Sequence, residues 1–284
     1  MKKAIITGST GFIGTHLTEF LQNNAVETTQ YDPRTTPADT LPTADIFYHL
    51  AWEGATGELR QNPFTQTQNA AMTLQAVETA HKLGCKKFVG LGTIYEKLTP
   101  QIRESHEFRG ADFYLLAKDS AHIMARKLAQ KLGLDFTWCT ICHPIGAGIK
   151  PEQLMSYAVT TLQAGKSPDF GPAEIMFDIV AVEDIALGLY LIGEHGKQQE
   201  YYIGSGAAKP LKDYLVQIPR ILGVDIPVNT GARPDDGLRF SPDWFDITPL
   251  AEDTGYSPKI GFEQAVKNVA NYTIADLFEK NRNN

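Results

Sequence analysis

Short apolar runs alternate with longer amphipathic segments through most of the chain. The short runs are rich in β-branched and aromatic residues and end at glycine, proline or charged residues, which is typical of strands buried in a parallel sheet. The longer segments repeat apolar residues at the spacing of a helix that packs on such a sheet. The predicted strands are residues 4–6, 26–31, 45–51, 86–91 and 136–142, and the predicted helices are residues 15–21, 65–83, 113–132, 152–165 and 182–192.

This alternation of strands and helices predicts right-handed βαβ units. We therefore expect an α/β fold with a Rossmann-like doubly wound parallel sheet that carries helices on both faces. The pattern becomes less regular after Pro151, which indicates a smaller C-terminal α/β domain. The segment with Pro100 and the charges from Arg103 to Arg109 is expected to be a solvated loop.

Three glycines, Gly8, Gly11 and Gly14, follow the first strand at a spacing of three and lead into the first helix. Gly8 permits a tight turn, Gly11 lets the main chain approach a ligand, and Gly14 lets the helix lie close to the strand. A strand, a turn and a helix in this order offer free N–H groups and a positive helix end to a phosphate. The spacing therefore predicts a phosphate-binding turn.

Asp32 ends the second predicted strand and follows Gly8 by 24 residues. This is close to the separation of roughly 20 residues at which an acidic side chain accepts hydrogen bonds from an adenosine ribose. The alternative is that Asp32 is a turn residue before Pro33. Asp32 repels a 2′-phosphate and favours NAD, whereas Arg34 would bind that phosphate and permit NADP. The sequence thus predicts a dinucleotide site, with NAD as the expected cofactor and NADP as a possible one.

Tyr114 and Lys118 lie four residues apart on a predicted helix, so both side chains project from one face. A nearby cation, helped by a bound nicotinamide ring, favours the phenolate and lowers the pKa of a tyrosine from about 10. Such a tyrosine exchanges a proton with a substrate hydroxyl or carbonyl group while hydride moves at the cofactor. Behind a dinucleotide motif, the pair predicts an oxidoreductase site.

The two motifs, T-G-x-x-G-x-x-G at residues 7–14 and Y-x-x-x-K at residues 114–118, resemble those of the extended short-chain dehydrogenase/reductases. The resemblance is to their NAD-dependent nucleotide-sugar epimerase/dehydratase/reductase group in particular, and it covers nearly the whole chain. Further segments that match the family pattern are His49 to Ala51, Asn69 and residues 177–186, 202–206 and 254–258.

The resemblance implies an enzyme that moves hydride at C4 of a nucleotide-activated sugar, either as a 4-ketosugar reductase or as a 4-epimerase. Tyr114 would be the proton donor or acceptor, and Lys118 would hold the nicotinamide ribose. The family also carries a Ser or Thr four residues before a tyrosine. Counting back from Tyr95 gives Leu91, whereas a turn two residues shorter gives Thr93, which we favour because Gly-x-Gly precedes it.

Family members bind the cofactor and the sugar nucleotide through residues that can be located in this chain. His143 is a ligand of a phosphate or sugar oxygen, a proton carrier or a hydrogen-bonded structural histidine, and Trp52 is either a ligand or a packing residue. Arg233 and Arg239 flank the acidic turn at residues 234–237, and they either clamp a diphosphate or are surface arginines of a solvated loop. The expected cofactor-binding residues are Gly8, Thr10, Gly11, Phe12, Ile13, Gly14, Asp32, Arg34, Leu50, Ala51, Asn69 and Lys118, and the expected substrate-binding residues are Trp52, His143, Arg233 and Arg239.

The resemblance also implies a domain division and an assembly. We assign residues 1–146 plus about 176–200 to the dinucleotide-binding Rossmann domain, and about 147–175 plus 201–284 to the substrate-binding domain. Family members dimerise through two helices per subunit, so the predicted helices 65–83 and 113–132 are expected to form a homodimer interface.

Composition and charge argue against several other classes of protein. The chain has 284 residues, of which 43% are hydrophobic, and its formal net charge is -7 without a long basic run. Nucleic acid is therefore not an expected partner. No run approaches the roughly 18 apolar residues of a membrane span, so we expect a cytoplasmic protein without a membrane partner. The three cysteines, Cys85, Cys139 and Cys142, are expected to be structural thiols, and no metal site is expected.

Two other functions remain as alternatives. A 4,6-dehydratase needs an acid/base carboxylate pair beside the Thr-x-x-x-Tyr turn, and this chain offers only Glu96, on the wrong side. A non-catalytic dinucleotide-binding sensor or interaction protein would explain why Thr140 and His143 replace the arginine and asparagine of the family pattern. The presence of both Tyr114 and Lys118 favours the enzyme.

Overall fold

The structure is a computed structural model that describes residues 1–235 and 237–282, with the backbone alone for residues 273–282. Its strands are β1 (Lys3–Thr7), β2 (Glu27–Tyr31), β3 (Ile46–His49), β4 (Lys87–Thr93), β5 (Asp135–Ile141), β6 (His143–Ile145), β7 (Met176–Phe177), β8 (Ile179–Ala181), β9 (Glu200–Tyr202) and β10 (Lys209–Pro210). Its helices are α1 (Phe12–Asn23), α2 (Pro63–Lys82), α3 (Thr99–Glu104), α4 (Asp112–Leu132), α5 (Leu154–Gln163), α6 (Val182–His195), α7 (Leu211–Leu215), α8 (Ile218–Leu222), α9 (Thr248–Thr254) and α10 (Phe262–Arg282).

The main sheet has six strands in the order β2-β1-β3-β4-β5-β9, and all neighbouring strands pair in parallel. The predicted α/β fold with a Rossmann-like parallel sheet and flanking helices is therefore confirmed. The strand order reverses at β1, because the chain adds β2 on one side of β1 and β3 on the other. Ligands of open parallel sheets bind beyond the carboxyl ends of the strands at such a reversal.

A layer of stacked aromatic rings fixes the central strands β3, β4 and β5. Phe47 stacks on Phe88 at 5.8 Å between ring centroids, Phe88 on Phe136 at 5.7 Å, and Phe136 on Trp138 at 6.2 Å. All four side chains are buried, so their burial and ring contacts stabilise the sheet from one face. The strand ends that carry polar side chains are therefore held on a rigid support.

The segment after β4 is more ordered than the sequence predicted. In place of a solvated loop, the chain forms a 3-10 helix (Ile94–Leu98) and then α3. Pro100 lies in the first turn of α3, where a missing N–H group removes no helical hydrogen bond. Ile94 and Leu98 are fully buried, so the segment belongs to the core. The loop prediction is therefore wrong for residues 99–104, which form α3, whereas residues 105–111 form a loop without a buried residue, as predicted.

The chain folds into two compact units. The first unit contains residues 1–141, 185–203 and 247–257, and therefore the six-stranded sheet. The second contains residues 142–184, 204–246 and the chain from Pro258 onwards, with β6 parallel to β8 and β7 antiparallel to β10. The domain boundaries expected from the sequence remain a prediction.

Within the described part of the chain, no helix combines the length and the apolarity needed to cross a bilayer. The cytoplasmic location remains a prediction. The thiols of Cys85, Cys139 and Cys142 are buried and free. Burial raises the pKa of the Cys85 thiol to about 11 and raises the pKa values of the other two thiols further. These thiols are therefore protonated at neutral pH and unreactive.

Candidate functional site

The glycine turn after β1 folds back against the first turn of α1. Gly8 has a φ of 71°, and the Gly11 N–H donates to the Gly8 carbonyl at 3.0 Å. A Cβ on Gly14 would lie 2.0 Å from the Gly8 oxygen, so this close approach requires glycine. Gly11 precedes α1 without a side-chain cap, and the first helical turn has no acidic residue. The amide groups at Phe12 and Ile13 are therefore suited to an anion.

The end of β3 lies against this turn. A Cβ on Gly8 would be 2.7 Å from the Ala51 nitrogen, and the Leu50 N–H donates to the Thr7 carbonyl at 3.2 Å. The structure thus brings Leu50 and Ala51 next to Gly8, as expected for residues that line one dinucleotide site. Thr10 lies in the turn itself and is exposed.

His49 connects β3 to two neighbouring elements. Its Nδ1 lies 2.8 Å from the Thr7 hydroxyl, and its Nε2 lies 3.0 Å from the Thr73 hydroxyl of α2. Burial lowers the pKa of His49 to about 3, so the ring is neutral at physiological pH and uses both nitrogens in the fold. His49 therefore fixes the strand end rather than providing a proton.

Asp32 and Arg34, both predicted to face the cofactor, form an ion pair with each other. The Asp32 carboxylate accepts from Arg34 Nε at 2.9 Å, from Nη2 at 2.8 Å and from the Arg34 backbone N–H at 3.0 Å. These hydrogen bonds with Arg34 lower the pKa of Asp32. The negative charge at the end of β2 is therefore offset by an adjacent positive charge.

The carboxyl end of β4 is shaped by a buried indole and a buried carboxylate. A Cβ on Gly90 or Gly92 would lie 2.3 or 2.1 Å from the Trp138 ring, so the glycine pair makes room for this side chain. Trp138 Nε1 donates to Glu96 at 3.0 Å, and the Thr93 N–H donates to the other Glu96 oxygen at 2.8 Å. The position of Thr93 is therefore fixed through Glu96.

His122 completes this cluster, although the sequence analysis gave it no role. Its Nδ1 lies 3.3 Å from Glu96, and its ring stacks on Trp138 with 5.0 Å between centroids. Glu96 is 5% exposed. Because Thr93, Trp138 and His122 surround its carboxylate, Glu96 stabilises the turn after β4 and is not free to contact a ligand.

Tyr114 and Lys118 are both buried on α4 and face the end of β4. Lys118 Nζ donates to the Leu91 carbonyl at 2.8 Å and lies 3.9 Å from the centroid of the Trp52 ring. Burial lowers the pKa of Lys118 to about 8, and the charge of Glu96 opposes this shift. The Lys118 side chain is therefore mostly protonated at neutral pH, but its pKa of about 8 lies close to neutrality.

The pKa of Tyr114 differs from the sequence expectation. Burial is the main cause that raises it to about 12, whereas the charge of Arg60 and the nearby Thr93 side chain lower it. The expected lowering by Lys118 is not produced by the protein's own groups, because the phenol loses its hydration. The effect of a nicotinamide ring on this pKa remains a prediction. The Thr93 side chain lies close to the Tyr114 phenol, so the structure brings together the two side chains for which the sequence suggested a shared role.

Trp52 is held over this pair by Gln66, a residue that the sequence analysis missed. Trp52 Nε1 donates to Gln66 Oε1 at 2.8 Å, and the Trp52 and Tyr114 rings meet edge to face at 6.1 Å. Gln66 Nε2 donates to the carbonyls of Gly54 at 3.0 Å and Leu59 at 2.9 Å. A buried glutamine therefore organises the loop between β3 and α2.

Asn69, predicted to bind the cofactor, also holds this loop. Its amide accepts from the Glu53 N–H at 2.9 Å and donates to the Glu53 carbonyl at 2.7 Å. Gln66 and Asn69 lie three residues apart on the buried face of α2, and that spacing was the signal in the sequence for a loop anchor. The contact of Asn69 with a cofactor remains a prediction.

His143 lies in the second unit, on β6. Its ring packs against Phe177 at 5.6 Å, and its Nε2 is buried without a hydrogen-bond partner among the residues described. Burial lowers the pKa of His143 to about 4, so the ring is neutral. The prediction that His143 is a hydrogen-bonded structural residue therefore finds no support at its Nε2 atom.

Arg233 and Arg239 also lie in the second unit, and each has a partner there. Arg239 pairs with Asp235, with Nη1 at 3.2 Å and Nη2 at 2.5 Å from its carboxylate oxygens. Arg233 lies 5.3 Å from the centroid of the Tyr157 ring and donates to its hydroxyl at 3.1 Å. Asp236 of the same turn lies outside the described residues. The diphosphate clamp remains a prediction.

Comparisons with known proteins agree with this geometry. A model of the NAD dependent epimerase/dehydratase family matches residues 4–204. The dTDP-glucose 4,6-dehydratase of Shigella flexneri is 23% identical over 188 residues, which are 62% of this chain and 51% of that protein. The match thus spans about half the length of this relative.

Solved structures extend the likeness to the whole fold. One similar structure is the UDP-N-acetylglucosamine 4-epimerase from Methanobrevibacter ruminantium in complex with UDP-N-acetylmuramic acid. Its TM-score is 0.81 at 19% sequence identity, and the match covers 97% of this chain and 99% of that chain. RMD from Pseudomonas aeruginosa, complexed with NADPH, has a TM-score of 0.78, 18% identity and coverage of 97% and 100%. The UDP-glucuronic acid 4-epimerase from Bacillus cereus, in complex with NAD, has a TM-score of 0.78, 17% identity and coverage of 98% of each chain.

Proposed function

The chain belongs to the NAD-dependent epimerase/dehydratase family, and from this premise we propose that it transfers hydride between a nicotinamide cofactor and C4 of a nucleotide-activated sugar. The observation that carries the proposal is the cluster at the carboxyl edge of the sheet. The Tyr114 and Thr93 side chains lie close to each other there, and Lys118 lies one helical turn from Tyr114. The glycine turn opens at the same edge of the sheet, at the point where the strand order reverses.

In this proposal the cofactor, when bound, supplies or takes up the hydride. The protein's own residues bind it and move the proton. The amide groups at the start of α1 hold the pyrophosphate, and Asp32 lies where the adenosine ribose binds. The Tyr114 phenol gives a proton to the sugar oxygen at C4 when the sugar is reduced, and its phenolate takes that proton when the sugar is oxidised. The Thr93 hydroxyl orients that oxygen. The Lys118 ammonium holds the nicotinamide ribose.

Two reactions share this machinery. A 4-epimerase retains NAD through the cycle, whereas a 4-ketosugar reductase consumes a reduced cofactor and releases it oxidised. The test is to denature the purified protein, identify the released dinucleotide by mass spectrometry, and incubate the intact protein with UDP-, GDP-, CDP- and dTDP-sugars. Retained NAD with sugar interconversion supports the epimerase, and oxidation of NAD(P)H only with a 4-ketosugar nucleotide supports the reductase.

Turnover of none of these sugars would contradict the proposal. It would favour the non-catalytic dinucleotide-binding protein, a candidate that rests on Thr140 and His143 in place of the family's arginine and asparagine. Tyr114 and Lys118 argue against that candidate, because a protein that only binds the cofactor has no need of a proton donor.

The Asp32–Arg34 pair leads to a prediction on cofactor choice. Asp32→Ala removes the hydrogen-bonded partner of the Arg34 guanidinium and leaves only Glu53, at 3.9 Å. The ratio of NADP to NAD affinity is therefore expected to rise about tenfold, equivalent to about 1.4 kcal/mol. Arg34→Ala leaves an unpaired carboxylate that repels a 2′-phosphate, so the same ratio is expected to fall. The measurement is the Kd of each dinucleotide by calorimetry.

Glu27→Ala is the matched control, because it removes an exposed carboxylate from the other end of β2 that pairs with Lys3 at 3.3 Å. Its affinity ratio should equal that of the unaltered protein. An unchanged ratio in both Asp32→Ala and Arg34→Ala would show that the pair does not contact the ribose.

The homodimer is part of the proposal. Three large apolar side chains on α2 and α4 are exposed in the single chain, namely Phe64 at 84%, Ile123 at 40% and Met124 at 41%. These side chains would be buried by a second copy that packs on the same two helices. A single-chain mass in sedimentation equilibrium would contradict the dimer.

A further inference from the structure

Arg60 is a cation at the candidate site that the sequence analysis did not identify. It lies in the 3-10 helix Glu58–Gln61, and its guanidinium carbon is 4.8 Å from the centroid of the Tyr114 ring and 5.6 Å from that of Tyr95. Across the described chain, its side chain has no hydrogen-bond acceptor and no carboxylate within 4.0 Å. Its Nε is buried and unpaired.

Ring contacts alone do not satisfy this side chain. A guanidinium over an aromatic face gains about 0.5–2 kcal/mol, but its five N–H donors point along its own plane and not into the rings. A partly buried charge without a counter-charge or an acceptor is unfavourable. The planar fork of N–H groups matches the oxygens of a carboxylate or a phosphate, so an anionic ligand would supply the missing partner.

The position of Arg60 is built into the fold. The Leu59 carbonyl, next to Arg60 in the chain, accepts from Gln66, and Gln66 also holds Trp52. Gly54 has a φ of 70°, and a Cβ there would lie 2.7 Å from the Leu59 Cβ, so the loop closes tightly on this short helix. Gln66 is 1% exposed, so its hydrogen bonds are protected from water. The guanidinium is therefore held beside Tyr114 by buried contacts of its own loop.

We propose that Arg60 binds an anionic oxygen group of the substrate next to Tyr114. This inference rests on the proposed function, which puts the Tyr114 hydroxyl at C4 of the sugar. Two groups of a nucleotide-activated sugar have this chemistry, the diphosphate and a carboxylate on the sugar itself. The charge of Arg60 also favours the phenolate of Tyr114, so a bound anion that offsets this charge favours the protonated tyrosine.

The test measures binding rather than turnover. The NAD-saturated protein is titrated in a calorimeter with UDP, UDP-glucose and UDP-glucuronic acid, using Arg60→Gln, Arg60→Lys and the unaltered chain. Arg60→Gln is expected to weaken binding at least tenfold, because a hydrogen-bonded charge pair is lost. Arg60→Lys should recover part of this loss, since it keeps the charge without the planar fork. Arg103→Gln, an exposed arginine on α3, is the matched control.

The three ligands distinguish the two anionic groups. An equal loss with all of them assigns Arg60 to the diphosphate, and a loss confined to UDP-glucuronic acid assigns it to the sugar carboxylate. If Arg60→Gln binds all three as the Arg103→Gln control does, the inference is wrong while the proposed function stands. If the unaltered protein binds neither these three ligands nor their GDP, CDP and dTDP counterparts, the inference falls together with the proposed function. Equal melting temperatures of the variants would exclude unfolding as the cause of a loss.

Discussion

Replacing Tyr114 by phenylalanine is expected to lower kcat by about 10²–10⁴-fold, which is the usual contribution of a positioned general acid or base. The change removes one hydroxyl group, which lies near Thr93, but keeps the ring that packs against Trp52 and Arg60. Lys118 keeps its hydrogen bond to the Leu91 carbonyl. The Kd for NAD is therefore expected to stay within about twofold, because no cofactor-binding group is altered.

Steady-state rates with the sugar identified in the panel, together with NAD titrations, check both expectations. Tyr190→Phe is the matched control, because Tyr190 lies on α6 and packs against Phe20 at 5.5 Å, away from the cluster around Tyr114. Unchanged turnover in Tyr114→Phe would rule out the proposed proton transfer. A joint loss of turnover and NAD affinity would mean that Tyr114 supports the cofactor site.

The second large effect is expected from Gly14→Ala. Alanine in a helix normally stabilises by about 0.5–1 kcal/mol relative to glycine. At this position, however, the added methyl group would lie 2.0 Å from the Gly8 oxygen and 2.8 Å from the Ser9 Cα, and neither backbone atom can move without opening the turn. The free energy of unfolding is expected to fall by about 3 kcal/mol.

The same displacement would move the amide groups at the start of α1, so NAD affinity is expected to fall at least about 100-fold, or about 2.7 kcal/mol. Urea unfolding and NAD titration measure the two effects. Gly261→Ala is the control, because a Cβ there has no heavy atom within 4 Å. If Gly14→Ala folds and binds NAD as the Gly261→Ala control does, the turn geometry described above is wrong.

The parts of the molecule that depend on local sequence could be predicted. The parallel sheet followed from β-branched runs separated by helical periodicity, because burial on both faces leaves a continuous apolar strand. The role of Gly14 followed from its spacing relative to Gly8, because a strand–turn–helix unit constrains the backbone over a few residues. The pairing of Tyr114 with Lys118 on one face followed from the helical period alone.

Features that depend on distant contacts were not visible in the sequence. Arg60 lies in a loop without periodicity, and the hydrogen bonds of Gln66 that hold this loop join residues distant from it in sequence. The raised pKa of Tyr114 depends on burial by several elements, which no spacing reveals. The 3-10 helix and α3 after β4 were missed because Pro100 indicated a loop, although proline is well tolerated in the first turn of a helix.

The central claim is that hydride passes between the cofactor and C4 of the sugar while Tyr114 moves the proton. The most direct test removes any bound dinucleotide from the protein, reloads the protein with NADH or NADPH that carries deuterium at C4 of the nicotinamide, and incubates it with a panel of 4-ketosugar nucleotides. Mass spectrometry and NMR then give the position of the label in the product. We expect deuterium at C4 of the sugar with the unaltered chain, and incorporation at least about 100-fold slower with Tyr114→Phe. Deuterium at another carbon, or label retained in the cofactor with every sugar, would contradict the claim.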